Sequence, residues 1–569
     1  MAKSKFPWMK LRKKTDPELP LEPPVWMGNH SNGEYFHQQT KQEANMRKEV
    51  LRRAEEQSKY LGMDRREFLA SSMGMATTLA VINQMGCGST SDDKVGSDGT
   101  IYDPNGYYKD AGKPYVIPPD ATCEESDFLK QDYFIMDVQT HAFDDGEWRT
   151  KNTAYPIFLG LLASCKDETD KLNCFDQKHY GELMFADSET SLAVITSWPA
   201  ASCFPERNLL GNSAVACGLP LSNDGMKQLR DWINQKAMSE RVINQVQVMP
   251  NDMLEKQIDG MYAAMEDKTW LAGSWKAYPA WRSDTYPDKD GAAQGYFMDD
   301  PIGRAFIEAG LKLGVPNFAI HKGLPIPGFD VEHNQPRDIG VVASDYPEAN
   351  FVIYHSAINA GTGGTALAAV SPTRTEDVPY DSNQADGDVK GVNQLIRSLI
   401  VNGLVTEHED GTVERIEKLN VFAEMGSAWA QCMGDTNMAQ HYMGKLLKYL
   451  GPDNIVWGTD CILTGSPQHQ IDMFKAFSIT EEYQDKYGYP AITDEMKKKI
   501  FGLNAAKIYR INPDAARCKV QDSTFAMLKK TYDEELGPNR WIAKPHLGPR
   551  NRREFLALAK WNKARRLPG

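Results

Sequence analysis

From residue 130 onward the chain alternates short apolar, β-branched runs with segments long enough to be helices. The runs are FIMDVQTH (134–141), SLAVITSWP (191–199), VINQVQVMP (242–250), LAGSWKAYP (271–279), VPNFAIHKG (315–323), NFVIYHSA (350–357), LNVFAEMG (419–426) and NIVWGTD (454–460). Strands alternating with helices imply βα units and a parallel sheet, and eight such units predict an α/β fold, a closed (β/α)8 TIM barrel. Helices are predicted in DDPIGRAFIEAGLKLG before run five, DIGVVASDYPEA before run six and MAQHYMGKLLKYLG before run eight. ITDEMKKKIFGLNAAKIYRI closes the pattern, with Thr493 as its N-cap and two acids in its first turn. A Gly/Thr/Asp-rich insertion, residues 361–391, follows run six, where it is expected to overhang the barrel mouth.

Outside this pattern the chain is more polar. Residues 1–62 read as a charged, partly helical extension whose stretch KQEANMRKEVLRRAEEQSKYLG is polar nearly all round, a solvated helix rather than core. Residues 63–88, MDRREFLASSMGMATTLAVINQMGCG, place Arg65 and Arg66 before a modest apolar segment and a hydrophilic exit. That order fits a twin-arginine export signal; the alternative is a surface helix that contains Arg-Arg. Residues 89–129 form a polar linker, 130–512 the barrel and 513–569 a basic C-terminal extension, in which RREFL recurs at 552–556. The signal reading predicts the export machinery as a partner and a periplasmic location, membrane-associated if the signal is kept or Cys87 carries lipid. The other reading leaves the protein cytoplasmic.

With 41% apolar residues and 569 positions the chain fills a core. Its formal charge of −13 argues against nucleic acid as the partner. No apolar run reaches the length of a membrane-spanning helix. Nine cysteines without a CxxC pattern argue against a cysteine zinc site. In an exported chain, Cys165 with Cys174 and Cys203 with Cys217 would close short loops; buried thiols are the alternative. Oligomeric state is not written in the sequence, and a homo-oligomer stays open.

In a (β/α)8 barrel, chemistry sits at the C-terminal strand ends. Those ends carry Gln139 and His141, Lys276, His321 with Lys322, His355, Glu424 and Asp460. One histidine at a strand end is an ordinary hydrogen-bonded residue. Three of the 11 histidines closing runs one, five and six, with an Asp closing run eight, point to a site. Imidazoles with a carboxylate suit a borderline divalent ion such as zinc. Lys276, Lys322 and Glu424 are candidate substrate contacts, or salt bridges of the mouth loops. WLAGSWKAYPAW is barrel core with a mouth loop, or a stacking wall for an aromatic substrate.

DVQTH, AIHKG, VIYHSA, WGTD and KIFGLNAAKIYRI, in that order, resemble the amidohydrolase-related group of the amidohydrolase superfamily over roughly residues 130–512. The resemblance implies a metal held by the pair Gln139 and His141, by His321 and by Asp460, with His355 orienting a metal-bound water and Asp460 taking its proton. The family pattern has histidine where this chain has Gln139. An amide oxygen is a harder, weaker donor than imidazole, which leaves zinc, manganese or a metal-free site open. The expected function is a metal-dependent hydrolase attacking an ester, lactone or amide of a small-molecule substrate. Non-oxidative decarboxylation of an aromatic or unsaturated acid on the same site is the first alternative, and a degenerate barrel acting as a binding module is the second.

Overall fold

The computed structural model describes residues 41–71, 73, 75, 77, 78, 81, 133–143, 171–198, 221–266, 273–325, 329–359, 376–513, 523–536, 549 and 551–566. The polar linker, most of the apolar half of the export-like segment, residues 1–40, Cys87, Cys165, Cys203 and Cys217 lie outside them. The chain divides into two compact units, residues 1–109 and 110–569.

In the first unit a helix spans Lys41–Leu61 and a short one spans Arg65–Ala70, capped by Asp64, whose carboxylate accepts from Arg66 N. The long helix is not solvated all round. Met46, Val50 and Ala54 recur every fourth residue and are buried with Phe68, Leu69 and Val81. Three apolar residues in a charged sequence are a thin stripe, but a single partner helix needs no more. Arg65 pairs with Glu55 at 3.0 Å. Among the described residues no helix is long and apolar enough to cross a membrane.

The second unit holds the eight expected strands. We name them β1 (Met136–His141), β2 (Leu192–Thr196), β3 (Val242–Asn244, continued as Val246–Gln247), β4 (Trp275–Ala277), β5 (Asn317–His321), β6 (Asn350–Tyr354), β7 (Val421–Glu424) and β8 (Ile455–Val456). All their pairings are parallel and follow chain order. The two halves of β3 flank Gln245 alone, the first half pairing with β2 and the second with β4. The ring closes between β1 and the segment after β8. Val138 N donates to the Trp457 carbonyl at 3.0 Å, Asp460 N to Gln139 O at 2.9 Å and Ile462 N to His141 O at 3.2 Å, with a parallel bridge at Thr140 and Cys461. This is a closed (β/α)8 barrel.

Helices fall where the apolar spacing puts them: Pro301–Lys312, Ile339–Asp345 and Thr436–Tyr449. Thr493 does cap the closing helix, its hydroxyl accepting from Met496 N. Outward residues such as Trp275, Phe318, Phe351 and Trp457 pack under the helices in one large cluster. Met136, Val138, Val194, Ala319, Val352, Tyr354 and Val456 form another cluster, joined by Ala505 and Tyr509 of the closing helix, which fills the ring. Cys174 is disulfide-bonded, its partner lying outside the described residues, and Cys432 and Cys461 are free.

Close backbone approach shapes the mouth. Gly323, at φ 71°, follows β5, and a Cβ there would stand 2.2 Å from the Ala357 carbonyl carbon. Gly323→Ala adds left-handed strain to that clash. It is expected to destabilise the barrel by about 2–4 kcal/mol, seen as a lower urea midpoint at unchanged m value.

Candidate functional site

The site begins with a change of phase in β1. Strict alternation would send Val138 and Thr140 inward together with Met136. Instead the β1–β2 register shifts between Asp137 and Thr140. A bulge of this kind adds one residue and re-aims those after it. Val138 stays with the interior cluster, Thr140 turns out to bond the Val194 carbonyl at 2.8 Å, and Gln139 and His141 face the mouth.

Opposite them the β8 segment delivers Asp460, itself at φ 62°. Buried Asp137 ties the two together: it accepts from Gln139 N at 3.1 Å, from Thr459 N at 3.1 Å and from the Thr459 hydroxyl. Burial pushes the Asp137 carboxyl up to about 7, against these hydrogen bonds. Asp460 Oδ1 then lies 2.9 Å from Gln139 Nε2 and 2.8 Å from His141 Nε2, and Oδ2 accepts from the Ser427 hydroxyl. Burial favours the neutral acid, but His141, His355 and Ser427 outweigh it and hold Asp460 well below the usual carboxylate range. Asp460 is an ion.

His355 arrives by a different device. It opens a turn in which His355, Ser356 and Ala357 all have positive φ, at 60°, 50° and 58°. Three successive left-handed residues are costly and persist only when their surroundings over-determine them. Glu424 Oε2 accepts from His355 N at 2.8 Å, and the Ser356 hydroxyl donates to the Glu424 carbonyl at 2.7 Å beside Tyr442 Oη at 2.9 Å. His355 Nε2 then faces Gln139 Nε2 at 3.4 Å, and its Nδ1 has no hydrogen-bond partner among the described residues. Burial lowers His355 to about 4, so it is a neutral imidazole at pH 7. His321 stands edge-on to it, ring centres 4.7 Å apart, between Tyr278 at 5.0 Å and Phe329 at 5.2 Å. Burial lowers His321 as well.

Lys276 is the one amine of the cluster. It is fully buried, with Nζ 3.4 Å from the Tyr354 ring centre and 4.4 Å from that of Tyr278, and no acceptor in reach among the described residues. Burial drives its pKa well down, opposed by Glu424 and Asp460. Phe143, Trp198, Tyr278 and Phe329 wall the cluster, Trp198 lying 5.9 Å from the His141 ring.

The strand-end residues therefore divide. Gln139, His141, His355 and Asp460 come into contact, with His321 and Lys276 beside them. Lys322 is not a substrate contact: its Nζ is buried against Asp338 at 2.9 Å and the His333 carbonyl at 2.8 Å. Glu424 is not one either, because its two oxygens are spent on His355 N and Gly426 N. Gly458 makes room for it, since a Cβ there would sit 1.7 Å from Glu424 Oε1. Asp137, Thr459 and Ser427 belong to the site and went unread: an Asp beside an apolar strand and a Ser after a Met-Gly pair give no pattern of their own.

The donor set does not fit the expected metal. Gln139 turns its amide nitrogen, a donor, toward Asp460, as an ionised carboxylate demands. Among the described residues no group of three or more His, Cys, Asp or Glu side chains is arranged to hold an ion. His141 with Asp460 and His321 with His355 stand as two pairs.

Between pH 6.5 and about 4 an unfolded histidine takes up a proton that folded His355 refuses. The stability it contributes is present above 6.5 and is lost as pH falls toward 4, by up to about 3 kcal/mol. Urea midpoints at pH 7 and 4.5 are expected to differ less in His355→Gln than in the natural chain.

Residues 276–511 match the amidohydrolase family. No curated protein matches the chain. Among solved structures it is similar to a TIM-barrel protein of Bordetella bronchiseptica (11% identity, covering 67% of this chain and 99% of that one, TM-score 0.38). It is similar also to 5-carboxyvanillate decarboxylase of Novosphingobium aromaticivorans, a manganese complex (12%, 67% and 97%, TM-score 0.38). A third is an amidohydrolase of Burkholderia multivorans with bound zinc (11%, 67% and 100%, TM-score 0.37). That match runs from Lys276 on β4 through the closing helix and takes in His321, His355 and Asp460 but not Gln139 or His141.

Proposed function

We propose that the protein hydrolyses an ester, lactone or amide in a small, planar substrate that carries an anionic group. The observation that carries this reading is ionised Asp460 lying within one side chain of neutral His355, on the floor of an aromatic-walled mouth. His355 presents an unpartnered Nδ1 to whatever enters. Asp460 takes the proton of a water as that water attacks the carbonyl carbon, and His355, whose Nδ1 carries the proton when its Nε2 accepts from Gln139, donates to the developing oxyanion. Lys276 faces the anionic group or the oxyanion, and once protonated in a dry site it acts strongly on that charge. An arriving anion also raises the lysine's proton affinity, so binding takes up a proton. Phe143, Trp198, Tyr278 and Phe329 offer ring faces and edges to a planar substrate.

The same Lys276 and aromatic wall support a second reading, decarboxylation of an aromatic acid, with the proton delivered to ring carbon. A panel of lactones, esters and aromatic carboxylates separates the two by product: ring-opened or cleaved acid in one case, carbon dioxide in the other. With a substrate found, Asp460→Asn is expected to lower kcat/KM by roughly 100-fold or more. Lys276→Met is expected to raise KM for anionic substrates and to spare neutral analogues. Full activity in Asp460→Asn would refute the assignment.

A further inference from the structure

Position 139 is the one place where the strand-end pattern changes chemistry, and the structure gives that change a use. We propose that Gln139 is a positioning residue that occupies the place of a metal ligand, and that its amide locks Asp460 to His355 so that the cluster holds together with no divalent ion. For the claim that the locked cluster is a catalytic one, the inference rests on the reading just given.

Three observations carry it. The Gln139 amide nitrogen lies between two acceptors, 2.9 Å from Asp460 Oδ1 and 3.4 Å from His355 Nε2. A two-donor amide at that point does for the carboxylate and the imidazole what a shared cation would do: it gives both lone pairs a common partner. The amide is turned so that its nitrogen meets the carboxylate and its oxygen points to Gly426. Next, the amide is confined. Its oxygen packs beside Gly426, where even a Cβ would stand 2.7 Å away, and the side chain is 1% exposed. Finally, each oxygen of the carboxylate already accepts a hydrogen bond. His141 and Gln139 share Oδ1 and Ser427 closes Oδ2. With one oxygen bound by the Gln139 amide, the other by the Ser427 hydroxyl and the His141 ring against Oδ1, an ion entering would have to displace these neighbours.

The test reads metal, so it does not depend on finding a substrate. The full chain is purified, dialysed against excess zinc or manganese and then against buffer, and its metal is measured beside its melting temperature with and without chelator. The natural chain is expected to retain well under about 0.1 equivalent and to melt at the same temperature in both conditions. Gln139→His, which restores an imidazole, is expected to retain about one equivalent and to melt higher with zinc. Gln139→Glu serves if the histidine variant does not fold. Gln139→Met, which keeps the bulk but loses the donors, is expected to retain no metal. With a substrate in hand, the methionine variant is expected to lose kcat at little change in KM. About one equivalent of tightly held metal in the natural chain overturns the proposal, as does a histidine variant that folds and gains none. The hydrolytic reading, by contrast, falls if the substrate panel gives no ring-opened or cleaved acid, whatever the metal content.

Discussion

The site depends on the seam that closes the barrel. Gln139 and Asp460 are 321 residues apart, and nothing local brings them together. The parallel hydrogen bonds from Val138 to Trp457 and from Asp460 to Gln139 do so, with Asp137 stitched across to the Thr459 backbone and hydroxyl. Burying Asp137 is unfavourable in itself and becomes tolerable because each of its oxygens has a donor. The seam is polar and sits one layer below a polar cluster. A slip of one residue would turn Gln139 and His141 out of the mouth and put Thr140 in their place.

Above the seam the barrel concentrates groups that resist burial. Asp460, Glu424, Lys276 and three imidazoles share a small volume that water hardly reaches. Such a site opposes stability, which the two apolar clusters on either side of the strands must supply. The charges follow one rule. Those with full hydrogen-bond shells stay in place as structure: Lys322 on Asp338, and Lys445 on Glu376 and Asn393. Others, Lys276 Nζ, His355 Nδ1 and the ring nitrogens of His141 and His321, have no hydrogen-bond partner among the described residues. Unsatisfied polar atoms in a buried site mark where a ligand is meant to complete the shell.

Much of this was legible in the sequence. All eight strands lie inside the predicted runs, because β-branched residues between helical spacings leave few other folds. The strand-end rule picked out His141, His321, His355 and Asp460 before any geometry. For Lys322 the structure shows the salt-bridge alternative, and Glu424 bonds backbone instead, because a strand end has two sides and alternation does not say which side a residue just past the strand will take. It reached the right answer for Gln139 by a route the structure does not follow, since the bulge, not simple alternation, turns that residue inward. The left-handed turn at His355–Ala357 contains no glycine, so it left no signature. The helix Lys41–Leu61 looked solvated because its buried stripe is only three apolar residues wide.

The most direct test of the account is whether Gln139 and Asp460 feel each other in solution. A double-mutant cycle on folding stability, with Gln139→Ala, Asp460→Ala and the pair, isolates that term. A hydrogen bond to a buried charge predicts a coupling of about 1–3 kcal/mol. Effects that add to within about 0.3 kcal/mol would mean that the two side chains do not meet, and the site as described would not exist.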